Sequence, residues 1–266
     1  MKTQNKKSGK HTKKILLAVI ALFTLAVAII IPLSIQTTFA FASDKVSWGV
    51  TPNTKELTPE PPKNGAAMLQ EYGGMFVGDT SKKEVLFTFD LGYEAGYTEA
   101  VLDILKQHDI KAIFFLCGNY LKETAIINRM LNEGHLIGNH TDRHKDLPTV
   151  STEAITKDIV DFDIKYKEAF PTATPLTYFR PPKGNFCDRT LKAAKEQNLA
   201  TMMWSIAIVD WGKEPIDGQK SADKITSRLH NGAIILLHIT NSGTVDMMEK
   251  LVPMMKDKGY VAAKPI

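Results

Sequence analysis

The sequence predicts an α/β protein in which parallel strands curl into a barrel beneath a layer of helices. From Glu84 onward, short apolar runs alternate with stretches of helical period at βαβ intervals, which favours a parallel sheet covered by helices. An open doubly wound sheet fits that alternation as well. Asp90, His140, Arg180, Asp210 and His238 each close one strand-like run or follow it within a residue. This favours the barrel, where loops beyond the carboxyl ends of the strands assemble one site from distant residues. At 266 residues the chain is long enough to bury a sizeable core.

VLFTFD is the first strand, and TEAVLDILKQHD follows as a helix with Val101, Leu102 and Leu105 on one face and Thr98 as its cap. KAIFFLCG reads as a strand, ETAIINRMLNEG as a helix stopping at Gly134, and HLIGNH as a short strand. STEAITKDIVDFDIKYKEAF is a longer helix capped by Ser151. YFRPP, ATMMWSIAIVD and GAIILLHIT are further strands, separated by the helical DRTLKAAKEQN and SADKITSRLHNG. TVDMMEKLVPMMKDKG is the last helix. No internal repeat interrupts this order.

Residues 1–42 carry Lys2, Lys6, Lys7, Lys10, Lys13 and Lys14, no acid, and an apolar stretch over 15–33. That is the order of a secretory signal, with Ala40 and Ala42 placed for cleavage before Ser43, and the apolar stretch also has nearly the length of a membrane anchor. Either outcome puts the folded part outside the cytoplasmic membrane, secreted or anchored to that membrane. The formal charge is +4, but without the six leader lysines 27 basic residues face 29 acidic ones, a net −2. The basic balance belongs to the leader, which argues against a nucleic-acid partner. Residues 43–83, rich in Pro, Gly, Lys and Thr, read as a linker or arm laid over the domain at 84–266. Cys117 and Cys187 are the only cysteines; they read as two buried thiols or as one disulfide. No nucleophile motif surrounds Cys117, so it has no catalytic role at this level.

Each polar strand end admits a structural and a chemical reading. Asp90 before Leu91 and Gly92 is a turn-stabilising acid or a site carboxylate. In GNHTDRH, His140 and His144 stand four apart, a spacing that converges two imidazoles on one ion, with Zn²⁺ and other borderline metals suited to them, or that leaves two surface histidines. In FRPPKGNF, Arg180 before two prolines is held extended and forms a structural salt bridge or lowers the pKa of a site carboxylate. Asp210 beside His238 orients and charges an imidazole suited to donating a proton; the alternative is a satisfied buried histidine. Trp211 walls a groove or fills the core. Helix-end hydrogen bonding accounts for His108 and His230, and His135 precedes a buried strand; all three lie outside the expected site.

Taken together and in register, FTFDLGYE, GNHTDRH, RPPKG, VDW and LLH resemble the polysaccharide deacetylases of carbohydrate esterase family 4. FDLGYEAGYT, EGHLIGNHT and WSIAIVDW look most like the subgroup that deacetylates N-acetylmuramic acid before muramic δ-lactam forms in spore cortex. The resemblance covers Glu84 to the C-terminus. It implies a deformed barrel of about seven parallel strands and a divalent metal ion, Zn²⁺ first with Co²⁺ or Mn²⁺ as alternatives, held by His140 and His144. It further implies Asp90 as base held by Arg180, His238 as acid tuned by Asp210, Trp211 and Leu236 shaping the groove, and peptidoglycan glycan strands as partner. The departure is Leu91. Most of the family has a second aspartate there that completes a His, His, Asp site, and the δ-lactam subgroup usually has asparagine. Leucine has no donor atom, so the expected site is two histidines completed by water or an unassigned donor. Two other functions fit the same motifs: a catalytically impaired glycan-binding domain, which Leu91 motivates, and a deacetylase of chitin or xylan.

Overall fold

A computed structural model describes residues 44–212 and 214–265. The leader at 1–42, with its cleavage or anchor readings, lies outside the described residues. Among the described residues no helix is long and apolar enough to cross a membrane.

In chain order the strands are β1 Val46–Ser47, β2 Glu84–Leu91, β3 Ile113–Leu116, β4 Leu136–Asn139, β5 Tyr178–Phe179, β6 Asn185–Phe186, β7 Ala200–Thr201, β8 Ile206–Ala207, β9 Ala233–Leu237 and β10 Val261–Ala262. The helices are α1 Lys63–Glu71, α2 Thr98–Gln107, α3 Thr124–Asn132, α4 Thr152–Ala169, α5 Asp188–Glu196, α6 Gly218–Thr226 and α7 Gly243–Asp257. Seven strands pair in the order β7-β5-β4-β3-β2-β9-β8, and β10 adds to β2 beside them. All of these pairings are parallel. Because the chain steps from β2 to β7 along one side and returns through β8 and β9 on the other, the sheet curls into the expected barrel with one seam between β7 and β8. The segment from Met75 to Val77 covers it: Met75 bridges to Met202 and Val77 to Ala233.

Strand alternation decides what faces the barrel interior. Phe87, Phe89 and Leu91 of β2, Phe114 and Leu116 of β3, and Ile235 and Leu237 of β9 join the large core beneath the helices. The opposite parity forms a smaller inner cluster in which Ile113, Phe115, Met202 and Ile234 meet. Carried past the strand ends, that inner parity includes Asp90, Cys117, His140, Arg180 and His238.

Two local expectations change. The run ATMMWSIAIVD is not one strand: β7 pairs with β5, and β8 pairs with β9 across the seam. The intervening Met203 N–H donates instead to the carbonyl of Met75. Nor does Thr98 cap α2 through its side chain. Glu94 takes over, its Oε1 accepting the N–H groups of Gly96, Tyr97 and Thr98 and its Oε2 the Thr98 hydroxyl, so a carboxylate sits at the positive N-terminal end of the helix and meets its first orphan donor. Ser151 does cap α4, accepting from the Ala154 N–H at 3.3 Å. In the arm, β1 pairs antiparallel with β6, and α1 buries Leu69 with Trp48 and Phe186.

Candidate active site

Asp90 leaves β2 on the inner face, and Arg180 reaches it from the end of β5. The guanidinium is fully buried. One terminal nitrogen donates to Asp90 Oδ1 at 2.8 Å and to Thr88 Oγ1 at 2.9 Å; its Nε donates to the Met202 carbonyl at 2.9 Å and the other terminal nitrogen to the Met203 carbonyl at 3.3 Å. It lies 4.1 Å from the ring centre of Phe115 and 5.8 Å from that of Trp204. Such a fork between two rings is fixed in place as a lysine would not be. Burial alone would raise the Asp90 carboxyl, but the Arg180 charge, with the neighbouring imidazoles, outweighs it and holds Asp90 below the usual carboxylate range. The turn behind Arg180 depends on Gly184, which has φ +67° and where a Cβ would come within 2.6 Å of Trp204.

His140 ends β4. Its Nδ1–H donates to the Arg180 carbonyl at 2.7 Å, which leaves the Nε2 lone pair facing inward, 3.6 Å from Asp90 Oδ2. Burial pushes this imidazole down to about 4, so it is neutral near pH 7, the form that ligates a metal. The segment TDRH is a tight loop rather than a helical turn. Thr141 and His144 both have positive φ, 66° and 51°, an outlying conformation for a β-branched residue and one that persists where the surroundings enforce it. Asn139 Oδ1 accepts the Thr141 N–H, Thr141 Oγ1 accepts the His144 N–H, and Asp158 of α4 accepts the Arg143 N–H. The loop thereby brings the exposed His144 ring to 5.0 Å from that of His140, centre to centre.

Cys117 follows β3 on the inner parity, and one donor atom each from Cys117, His140 and His144 lies within 4.8 Å of the others. A thiol and two imidazoles are donors of the kind borderline divalent metals take, so the cluster is capable of coordinating such an ion. The thiol, pushed up by burial and by the Asp90 carboxylate, is no free nucleophile. Both cysteines are buried and unpaired, which settles the disulfide alternative.

On the other side of Asp90, the buried Asp210 carboxylate accepts the His238 backbone N–H at 2.7 Å and its ring Nδ1–H at 2.8 Å. Burial would lower this imidazole, yet the hydrogen bond and charge of Asp210, aided by Asp90, lift it above its ordinary value. Leu236 is buried two residues before His238, and Trp211 is 60% exposed beside Asp210. His135 accepts the Ala112 N–H on Nδ1 and His230 bonds to Ser205; both are structural, and His108 sits by Lys256 at the surface. The sequence reading gave Cys117 no role, where the structure sets it in the metal-capable cluster, and it missed Thr88, Asn139, Asp158 and Trp204. Two-residue parity with Asp90 and Phe115 would have found Thr88 and Cys117; the other three act through loop and helix contacts that spacing does not carry.

Residues 77–202 match the family model described as polysaccharide deacetylase. The chain is 33% identical to the peptidoglycan-N-acetylmuramic acid deacetylase PdaA of Bacillus subtilis, over 83% of this chain and 84% of that one. It is 36% identical to a Bacillus cereus peptidoglycan-N-acetylglucosamine deacetylase, over 72% and 70%. The solved structure of Bacillus subtilis PdaA, a family 4 carbohydrate esterase, superposes with a TM-score of 0.78 at 32% identity, covering 82% of this chain and 94% of that one. On likeness at this level the chain belongs to the polysaccharide deacetylases of carbohydrate esterase family 4 and is a hydrolase of that type.

Proposed function

We propose that the protein removes the N-acetyl group from N-acetylmuramic acid in peptidoglycan glycan strands, outside the cytoplasmic membrane, and so prepares muramic δ-lactam formation in spore cortex. The observation that carries the reading is the reach of the likeness along this chain, 83% of it for the muramic acid deacetylase, whose structure superposes with a TM-score of 0.78, against 72% and 68% for two glucosamine deacetylases and a TM-score of 0.68 for a solved one.

An amide carbonyl is a poor electrophile and neutral water a weak nucleophile. A divalent ion at the histidine pair, Zn²⁺ first with Co²⁺ and Mn²⁺ as alternatives, supplies the Lewis acidity that both need. Asp90 is the base. Arg180 keeps it ionised and fixes one of its oxygens, leaving Oδ2 on the His140 side to take the proton of the attacking water. His238, whose protonated form Asp210 favours, donates to the departing nitrogen, which otherwise would leave as an amide anion. Trp211 and Leu236 wall the groove that receives the strand.

Peptidoglycan strands of defined composition, incubated with the zinc-loaded protein, should release acetate, with the acetyl group lost from muramic acid and not from glucosamine. Release from chitin or xylan in preference to these strands would refute the substrate. Asp90→Asn should abolish turnover, and undiminished turnover would sink its assignment as base. Leu91, which offers no donor, favours a second reading, a glycan-binding domain with impaired catalysis. Binding without acetate release at any metal would establish it; metal-dependent release rejects it.

A further inference from the structure

Leu91 removes a carboxylate from the end of β2, and strand geometry shows what stands next to the loss. Leu91 points away from the site into the helix-side core, fully buried among apolar neighbours. Its carbonyl accepts the Cys117 N–H at 3.0 Å, so the end of β3 lies level with it on the adjacent strand. Cys117 has the parity of Ile113 and Phe115 and therefore points inward. A Cβ built on Gly92 would lie 4.0 Å from its sulfur, which places the thiol against the loop that follows Leu91. The sulfur's hydrogen bond is a long one, 3.5 Å to the His140 carbonyl, and Cys187 is engaged elsewhere with Thr190.

We propose that Cys117 supplies a thiolate as the third protein ligand of the metal, making this a Cys-His-His site in place of the His, His, Asp set. Three donor atoms no more than 4.8 Å apart share a centre within about 2.8 Å of each, and contraction of well under an ångström reaches the ~2.0–2.3 Å of zinc–nitrogen and zinc–sulfur bonds. The thiol proton is released to solvent as the bond to the ion forms. One anionic ligand is thereby restored, from the neighbouring strand, at a site whose own strand no longer provides it. A soft donor also changes the selectivity, toward Zn²⁺ and Co²⁺ and away from Mn²⁺ and Mg²⁺.

The full protein loaded with one equivalent of Co²⁺ should show an intense near-ultraviolet thiolate-to-cobalt charge-transfer band. Cys117→Ala and Cys117→Ser should lose the band and bind the ion at least about tenfold more weakly, since loss of an outer-shell partner alone costs that much; Cys187→Ser should keep both. X-ray absorption at the zinc edge of the unmutated protein should show one sulfur at about 2.3 Å. A shell of nitrogen and oxygen alone, or a band that survives Cys117→Ala, would overturn the proposal. The zinc-edge measurement requires no variant, so it decides the matter even where a Cys117 variant fails to fold. The proposal rests on the deacetylase reading of the histidine pair, but the two fail separately. Sulfur in the shell without acetate release refutes the activity and leaves the ligand standing; acetate release without sulfur does the reverse.

Discussion

Replacing Asp210 with asparagine tests the acid assigned to His238 through its pH dependence. The substitution leaves an oxygen to accept the His238 backbone N–H, bonded at 2.7 Å, and removes the charge facing ring Nδ1 at 2.8 Å. A hydrogen bond to a charged partner is worth about 1.5–3 kcal/mol, and about 1.36 kcal/mol corresponds to one pKa unit, so the imidazole should fall by roughly one to two units. Burial, which pushes it down, remains. The sign follows from which form works. The raised pKa keeps the proton donor in place to higher pH, and activity is lost as pH rises through it. In Asp210→Asn the alkaline limb of kcat/KM for acetate release therefore moves to lower pH by about one to two units. The assay is run at saturating free Zn²⁺ so that metal occupancy stays constant across the range. Stability provides a parallel readout: the raised pKa contributes stability that is present below the ordinary histidine value and lost as pH rises through the folded one. The melting temperature of the parent should fall across that window and that of the variant should not. An alkaline limb at the same pH in both proteins, with the variant folded by circular dichroism, would refute the reasoning.

Arg180→Met strands the Asp90 carboxylate in a buried site without its counter-charge, a loss of about 3–5 kcal/mol that thermal unfolding should register as a fall of about 6–20 °C. Adding Asp90→Asn to that variant should recover part of it, and strictly additive losses would argue against the pair. Gly184→Ala forces a side chain into a left-handed conformation and against Trp204 at 2.6 Å; the expected cost is about 1–3 kcal/mol by chemical denaturation, with acetate release lowered because the ring over Arg180 shifts. Unchanged stability in Gly184→Ala would mean that the turn relaxes without disturbing Arg180.

The barrel and its strand-end residues were legible because both follow from short-range pattern. An apolar run followed by a polar residue reports a buried strand and its end, and five such ends in register report a common mouth. What pattern could not report was the route of hydrogen bonds between distant segments. ATMMWSIAIVD reads as one apolar run, yet the Met203 N–H is claimed by Met75 from far upstream and the ladder breaks there. Likewise Thr98 looks like a cap from its position alone, whereas Glu94 four residues earlier reaches all three free N–H groups. The strained backbone at Thr141 and His144 is not legible in GNHTDRH alone, because α4 holds the loop from outside it, Asp158 accepting the Arg143 N–H and the Ile159 carbonyl accepting from the Asn139 side chain.

Cys117 marks the same limit from the other side. Scanned as a nucleophile it has no motif, and scanned as a metal ligand it has no neighbouring cysteine or histidine in sequence. What identifies it is the offset between two paired strands. Leu91 pairs with Leu116, so the next residue of β3 projects into the barrel one position beyond the place where a ligand from β2 is missing. Register converts a loss on one strand into a testable role on its neighbour. In a barrel whose site is assembled from separate strand ends, a ligand set can therefore be preserved in charge while its chemical type and its strand both change, and the sequence comparison most sensitive to that exchange is between columns that are adjacent in the sheet rather than in the chain.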